Sequence, residues 1–260
     1  MIQKLRVYRS LSRAVVLESI RRKDLWVVAL LGFLILMGAS ALGIMGVEGL
    51  QVFVKDLGVT VLGAFSTIVA VLTSTRMLPE EIKHRTLYPL LSRPISRLDL
   101  LIGKLIGSIV VTWIAFAILA ALTALALLGF GATVEMIMLQ YVVAKLMGLA
   151  LVCAVGLTLS VYMTPAAAAT TGFILTFGSS IIVRALTSSY NDVDQAAQFG
   201  LRFLNAALPQ FTLFDLGGRA ANVGWAPVPV WVMGFLLAYW IFYSAGLMAL
   251  SWAKFNRRAL

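Results

Sequence analysis

Few side chains in this sequence are of the types that carry catalysis. Its 260 residues contain one histidine, His84, in a polar stretch, and one cysteine, Cys153, in an apolar stretch. A serine or cysteine nucleophile needs a base within hydrogen-bonding distance, and the only histidine lies outside the apolar stretches. We therefore expect no nucleophilic catalysis. A lone cysteine among apolar residues is typical of a small buried hydrophobe.

Acid, metal and nucleotide chemistry is also poorly represented. An aspartyl protease that works inside a membrane needs paired carboxylates within its spans, and a metal site needs clustered His, Cys or carboxylate ligands. Neither arrangement occurs, and Gly103-Lys104 lacks the glycine-rich loop and the following Ser or Thr of a nucleotide-binding loop. We expect a chain that is not an enzyme and binds no metal or cofactor itself. The aspartates lie away from the centres of the apolar stretches: Asp24, Asp56, Asp99, Asp192, Asp194 and Asp215.

The composition indicates a membrane protein. Hydrophobic residues make up 61% of the chain and charged residues 12%, with a mean hydropathy of +0.96. Because a span needs roughly 20 apolar residues, the apolar stretches predict an all-α integral membrane protein that crosses the bilayer about six times. The net charge of +10 is concentrated at the ends of these stretches, so we expect no nucleic-acid partner. The predicted spans are residues 25–47, 57–78, 105–130, 137–163, 166–186 and 228–252.

We interpret residues 1–260 as a single transmembrane domain with three segments that do not span the membrane. Residues 1–24 form a basic amphipathic helix in the headgroup layer, with a frayed basic tail as the alternative. Residues 79–104 form a polar segment, and residues 187–227 form an outer segment with helical spacing that ends at Pro209. On the N-terminal helix one face carries Tyr8, Leu11 and Val15, and the other carries Arg6, Arg9 and Arg13.

The distribution of cations predicts the orientation. Sixteen of the 21 Lys and Arg residues lie in the N-terminus, in residues 76–104 and in the C-terminus. The positive-inside rule then places both termini and the polar segment in the cytoplasm. We expect a multi-pass protein of the bacterial inner (plasma) membrane. Lys145 and Arg184 either line a substrate path or extend to the outer interface, and the second is favoured.

The polar segment 79–104 carries most of the functional information. Leu87, Leu90 and Leu91 recur at helix-like spacing among charges of both signs. This pattern suits a short amphipathic helix that docks in the groove of a partner protein. It suits equally well a charged connector, and spacing alone leaves both interpretations open.

A longer pattern in the same segment resembles the signature of type-2 permeases of ATP-binding cassette (ABC) exporters. The branch it is most similar to includes the permease of the nitrous-oxide-reductase maturation system. Many members carry Gly where this sequence has Arg85. The matching residues are Glu81, Arg85-Thr86-Leu87, Leu91-Ser92, Pro94, Ser96-Arg97 and Gly103-Lys104.

The resemblance implies roles for particular residues. It implies an N-terminal elbow helix, a cytoplasmic coupling helix between spans two and three, and short outer re-entrant helices before span six. The ATPase-coupling residues would be Glu80, Glu81, Arg85, Thr86, Leu87, Leu90, Leu91 and Pro94. Cytoplasmic anchoring would fall to Arg97, Gly103 and Lys104. An outer gate would comprise Leu208, Pro209, Phe211 and Phe214.

The resemblance also implies partners and a function. The chain would be the permease subunit of an ABC exporter, working as a dimer with a second permease copy or a paralogue. A separate ATPase subunit would bind ATP and Mg, and membrane lipid and an extracytoplasmic partner would complete the set. The scarcity of charge inside the spans favours a lipidic or amphiphilic cargo. The alternative is a non-transporting anchor that docks an ATPase to do mechanical work on lipid or on an extracytoplasmic partner.

Overall fold

The computed structural model describes residues 2–43, 50–83, 96–129, 135–188, 194–221 and 226–257. Within these ranges there are nine α-helices, one 3-10 helix and no strand. Long apolar sequences favour helices because a helix satisfies its backbone hydrogen bonds internally, which lipid cannot do for it. The prediction of an all-α chain is therefore confirmed.

The helices follow one another with short connections. Between the first two, Lys23 adopts a φ of 60°, a left-handed conformation that interrupts the helix. The α-helices are α1 (Ile2–Arg21), α2 (Asp24–Gly43), α3 (Leu50–Lys83), α4 (Arg97–Gly129), α5 (Met136–Tyr162), α6 (Pro165–Ser188), α7 (Gln195–Ala207), α8 (Gly217–Ala221) and α9 (Val230–Asn256). The 3-10 helix, Phe211–Phe214, lies between α7 and α8.

Among the described residues, five helices are long and apolar enough to cross a membrane. They are α3, α4, α5, α6 and α9, which correspond to five of the six predicted spans. The remaining predicted span, residues 25–47, overlaps α2, whose described apolar stretch is the shorter Trp26–Ile35. The coarse prediction of several apolar membrane-length helices is confirmed.

Two predicted span boundaries differ from the observed helix ends. The second span was expected to end at residue 78, but α3 continues through Pro79 to Lys83. Proline is tolerated in apolar membrane helices because neighbouring groups satisfy the freed backbone atoms. The third span was expected to begin at residue 105, but α4 begins at Arg97. The reason is a capping pair: the Asp99 amide donates to Ser96 Oγ at 3.1 Å, and this hydroxyl donates to Asp99 Oδ2 at 2.6 Å.

The core lies where α3, α4 and α5 pack together. Phe116 and Leu119 of α4 and Leu149 and Leu151 of α5 are almost completely buried there. At the periphery, α9 exposes large apolar side chains, including Trp231 and Phe242, which are 75% and 78% exposed. An apolar surface of this kind suits contact with lipid chains.

Five hydroxyl groups in the middle and second half of α3 bond within their own helix. Each donates to the backbone carbonyl four residues earlier, at distances between 2.5 and 2.7 Å. A bond to the carbonyl one turn back satisfies a hydroxyl group inside an apolar helix. The residues concerned are Ser66, Thr67, Thr73, Ser74 and Thr75.

Candidate functional site

The apolar face of α1 packs directly on α4. Leu11 and Val15 are buried, with 6% and 1% of their surface exposed. They lie over Gly103 and Gly107, where an added Cβ would come within 2.7 Å of the Leu11 and Val15 side chains. The division of α1 into two faces is as predicted, since Arg9 is exposed. Its apolar face, however, contacts protein.

A polar cluster joins the beginnings of α1 and α4. The Tyr8 hydroxyl donates to Asp99 Oδ1 at 2.5 Å, while the other carboxylate oxygen accepts from Ser96. The bond to Asp99, with smaller contributions from burial and from the charge of Asp99, raises the pKa of Tyr8 above its ordinary value of 10.0. One carboxylate therefore both caps α4 and holds α1.

Arg97 connects the beginning of α4 to the end of α9. Its guanidinium donates to the carbonyl oxygens of Phe255 and Asn256, at 3.0 and 2.9 Å. It also lies 6.0 Å from the centre of the Phe255 ring. The last carbonyls of a helix have no partner within the helix, and a cation placed there is doubly favourable. Arg97 thus satisfies the carboxyl end of α9.

We refer to the part of the bundle where these contacts lie as the basic end. It is held together by a buried cluster that includes Leu11 of α1, Leu78 of α3, Leu100 of α4, Leu157 of α5 and Phe255 of α9. Since α3 ends and α4 begins there, both exits of the 84–95 connector lie at the basic end. Two further predicted anchoring residues, Gly103 and Lys104, are buried in α4 close by.

Most of the predicted ATPase-coupling residues lie outside the part of the chain that the structure describes. Glu80 and Glu81 are in the last turn of α3. The others belong to the connector between α3 and α4. These are Arg85, Thr86, Leu87, Leu90, Leu91 and Pro94.

The predicted outer-gate residues lie at the opposite end of the bundle. Leu208 and Pro209 link α7 to the 3-10 helix, which carries Phe211 and Phe214. Phe214 is 1% exposed and packs closely on α5, since a Cβ on Gly148 would lie 2.8 Å from Phe214 Cβ. The structure thus brings Phe211 and Phe214 into the bundle.

Several side chains tie this segment to α9. The backbone amide of Gln210 donates to the Tyr239 hydroxyl at 3.1 Å, and the Tyr243 hydroxyl donates to the Ala207 carbonyl at 2.5 Å. The rings of Phe214 and Tyr239 lie 6.0 Å apart. The segment from the end of α7 through the 3-10 helix is therefore fixed to α9 by polar and aromatic contacts.

Phe211 and Phe214 help to enclose a cavity of about 330 Å³, with polar and apolar lining, between α3, α5, α6 and the 3-10 helix. Lys145 of α5 also lines it. A Cβ built on Gly63 of α3 would lie 3.2 Å from Lys145 Nζ, so the ammonium crosses toward α3 inside the bundle. Lys145 therefore lines a cavity inside the bundle, whereas the interpretation favoured from the sequence was extension to the outer interface. Arg184 is exposed and does not line the cavity.

No single stretch of sequence contains this cavity. Its charged and hydroxyl-bearing lining comes from four separate parts of the chain, and the lone signal was a lysine within an apolar run. Among the described residues, no group of three or more His, Cys, Asp or Glu side chains is arranged to hold a metal ion. The polar lining residues are Asp56, Thr60, Thr67, Tyr141, Lys145, Thr176, Ser179, Ser180, Thr212 and Asp215.

The described residues form an all-helical bundle with five helices long and apolar enough to cross a membrane, and a cavity lined by polar and apolar side chains lies between them. Residues 15–260 match the family described as "Protein of unknown function (DUF2705)". Because the match extends over most of the sequence, the chain belongs to this family. No curated protein matches it.

Proposed function

We propose that this chain is the transmembrane permease subunit of an ABC exporter. The observation that supports the proposal best is the arrangement of the basic end. Both exits of the 84–95 connector lie there, together with the beginning of α4 and the end of α9, which Arg97 joins through two carbonyl oxygens. A partner that binds the connector therefore meets a segment attached to several helices at once.

The proposal includes a topology of six spans with α2 as the first. Both termini and the connector lie in the cytoplasm, and the membrane is the bacterial inner membrane. The support is the charge distribution: sixteen of the 21 cations lie in the three segments assigned to the cytoplasm. In this arrangement α1 is an elbow helix at the cytoplasmic surface, and the 3-10 helix with α8 lies in the outer half of the membrane.

In the proposed mechanism two permease copies, or a copy and a paralogue, stand on two ATPase subunits. The ATPase subunits bind ATP and Mg and approach each other. The residues from Glu80 to Pro94 contact the ATPase, and movement of the connector changes the relative positions of α3 and α4. ATP can shift the arrangement of the helices only insofar as the ATPase binds one arrangement better than another.

The docking role is tested by purifying the tagged full-length chain from native membranes. We expect an ABC ATPase to co-purify with the wild-type chain. Leu91→Asp places a charge among the leucines proposed to contact the ATPase and should abolish this association while membrane insertion is retained. Glu81→Lys should weaken it by reversing a charge at the end of α3.

Arg9→Asp is the matched control, because Arg9 is an exposed cation of α1 and lies outside the connector. This variant should retain the ATPase. If Leu91→Asp and Glu81→Lys retain it as fully as the wild type does, the docking role is wrong. Reconstituted vesicles test the transport step: ATP hydrolysis without movement of an amphiphilic cargo would indicate an anchor, not an exporter.

A further inference from the structure

Lys145 lies deep in the bundle, where the Asp215 carboxylate attracts it electrostatically without forming a direct bond to it. It is nine residues from the beginning of α5 at Met136, which corresponds to roughly 14 Å along the helix axis. It forms no hydrogen bond and no salt bridge with a described residue, although the other lysine near that end, Lys55, pairs with Glu135 at 3.4 Å. A charged side chain at such depth is expensive unless something compensates it.

Three hydroxyl groups in the cavity likewise form no hydrogen bond with a described residue. Thr60 of α3, Ser180 of α6 and Thr212 of the 3-10 helix line the cavity, and none of them bonds to a described residue. By contrast, Thr67 and Ser179 donate to carbonyls of their own helices, at 2.7 and 3.2 Å. The cavity therefore presents an ammonium and three hydroxyl donors that remain available. This donor set suits a phosphate group, which offers several acceptor oxygens.

Two carboxylates lie at the opening of the cavity. Asp56 of α3 and Asp215 after the 3-10 helix line it and are both exposed, whereas Lys145 is only partly exposed. Asp215 also accepts from the Gly217 amide at 3.1 Å. The charged groups that face the cavity are therefore one cation inside and two anions at the opening. A purely anionic ligand would meet repulsion at the opening, while a ligand that also carries an ammonium would not.

An apolar surface adjoins the same opening. On α6, Ile174, Phe177 and Ile181 are exposed by 58%, 48% and 71%, and Phe177 also lines the cavity. A ligand with a polar head in the cavity and hydrocarbon chains along α6 would contact both surfaces. The cavity volume of about 330 Å³ falls at the lower end of the range for small-molecule sites, roughly 300–1,000 Å³.

We propose that the cavity binds the headgroup of a zwitterionic amphiphile that carries a phosphate and a primary ammonium. The phosphate lies against Lys145 and the hydroxyls of Thr60, Ser180 and Thr212. The ammonium is directed toward Asp56 and Asp215, and the acyl chains follow α6. This site is contained within one copy of the chain and does not depend on an ATPase. A failure of lipid binding is therefore distinguishable from a failure of the proposed permease function.

The test uses native mass spectrometry of the full-length chain released from detergent micelles. The probes are phosphatidylethanolamine, phosphatidylglycerol with the same acyl chains, and soluble O-phosphoethanolamine. We expect phosphatidylethanolamine to bind at least about tenfold more tightly than phosphatidylglycerol, a difference of the size that one charge-assisted contact provides. Comparable binding of the soluble compound would overturn the amphiphile part of the proposal, because the acyl chains would then contribute nothing.

Substitutions then separate the headgroup contacts. Lys145→Met should weaken binding of both lipids at least about tenfold, and Lys145→Arg should restore most of it. Asp56→Asn combined with Asp215→Asn should remove the preference for phosphatidylethanolamine. Arg184→Met is the matched control, because it removes an exposed cation of α6 that does not line the cavity, and it should bind as the wild type does.

Folding of each variant is checked by its thermal unfolding midpoint. If Lys145→Met does not fold, Ser180→Ala and Thr60→Ala, which remove single hydroxyls, should each weaken phosphatidylethanolamine binding. The proposal is overturned if a folded Lys145→Met binds this lipid as tightly as the wild type. Unchanged binding in both Ser180→Ala and Thr60→Ala, or a loss in Arg184→Met as large as that in Lys145→Met, would also overturn it.

Discussion

The contact between α1 and α4 gives a prediction that can be worked from distances. Gly107 lies under Val15, and a Cβ at this position would be 2.7 Å from Val15 Cβ, 2.9 Å from Cγ2 and 3.0 Å from Cγ1. Rotation of the valine side chain moves the two Cγ atoms but leaves its Cβ in place. Gly107→Ala therefore requires α1 to move away from α4.

The expected cost follows from two opposing effects. Extra volume in a well-packed contact costs about 1–3 kcal/mol, while replacement of a helical glycine by alanine gains roughly 0.5–1 kcal/mol. We expect a net loss of about 1–2 kcal/mol in the free energy of unfolding. For a chain of this size such a loss lowers the thermal midpoint by roughly 2–8 °C.

The assay is thermal unfolding of the purified chain in detergent, with Gly246→Ala of α9 as the control. No heavy atom lies within 4 Å of a Cβ added at Gly246, so this variant should be as stable as the wild type or slightly more stable. Val15→Ala in the Gly107→Ala background should recover part of the loss, because two of the three close atoms are removed. If Gly107→Ala unfolds at the same temperature as Gly246→Ala, the close approach of α1 to α4 is refuted.

Three further predictions concern polar contacts. Arg97→Gln removes the cation from the end of α9 and should cost about 1–3 kcal/mol in unfolding free energy, with Arg97→Lys less affected; equal stability of Arg97→Gln and the wild type would contradict the contact. Tyr8→Phe should cost about 1 kcal/mol at neutral pH. The pKa of Tyr8 is raised, so the stability from its bond to Asp99 is present below pH 10 and is lost as the pH rises through the raised pKa. In a pH series, the unfolding midpoint of Tyr8→Phe should therefore fall less at high pH than that of the wild type. Lys55→Met leaves Glu135 without its partner and should destabilise the protein more than the double variant Lys55→Met/Glu135→Gln does. A double-mutant cycle measures the interaction free energy of this pair.

The positions of the long helices were predictable because each is encoded by one continuous apolar stretch of the sequence. The stretches that became α3, α4, α5, α6 and α9 are each long, apolar and nearly free of charge, which leaves little alternative to a helix. Their ends were less predictable. The beginning of α4 depends on Ser96 and Asp99, which form a capping pair. Both residues lie in the charged segment 79–104, whose charges indicated a polar connector and not the beginning of a helix. The continuation of α3 past Pro79 has no comparable local signal.

The partner of α1 illustrates the same limit. The sequence predicts which residues share its apolar face, but a face of this composition suits headgroups and protein equally well. The missing information was on α4, where Gly103 and Gly107 are four residues apart and form the small surface on which Leu11 and Val15 pack. Small residues at this spacing are a known signal of close helix contact in membranes.

The cavity was the least predictable feature. Asp56, Lys145 and Ser180 belong to three different helices, and Asp215 follows the 3-10 helix. Each alone is compatible with an ordinary position at a membrane surface. Only the packing of α3, α5 and α6 with the 3-10 helix brings them to one place. Chemistry assembled from distant residues in this way leaves no pattern within a single stretch of sequence.

Three neighbouring residues at the beginning of α4 are each bonded to a different part of the molecule. Ser96 holds the first turn of α4, Arg97 holds the last carbonyls of α9, and Asp99 holds Tyr8 of α1. A pull on the chain just before Ser96 would thus be shared at once among three helices from the beginning, middle and end of the sequence. The helices α1, α4 and α9 would then move together. A substitution that removes one of these bonds would uncouple one helix from the movement of the other two.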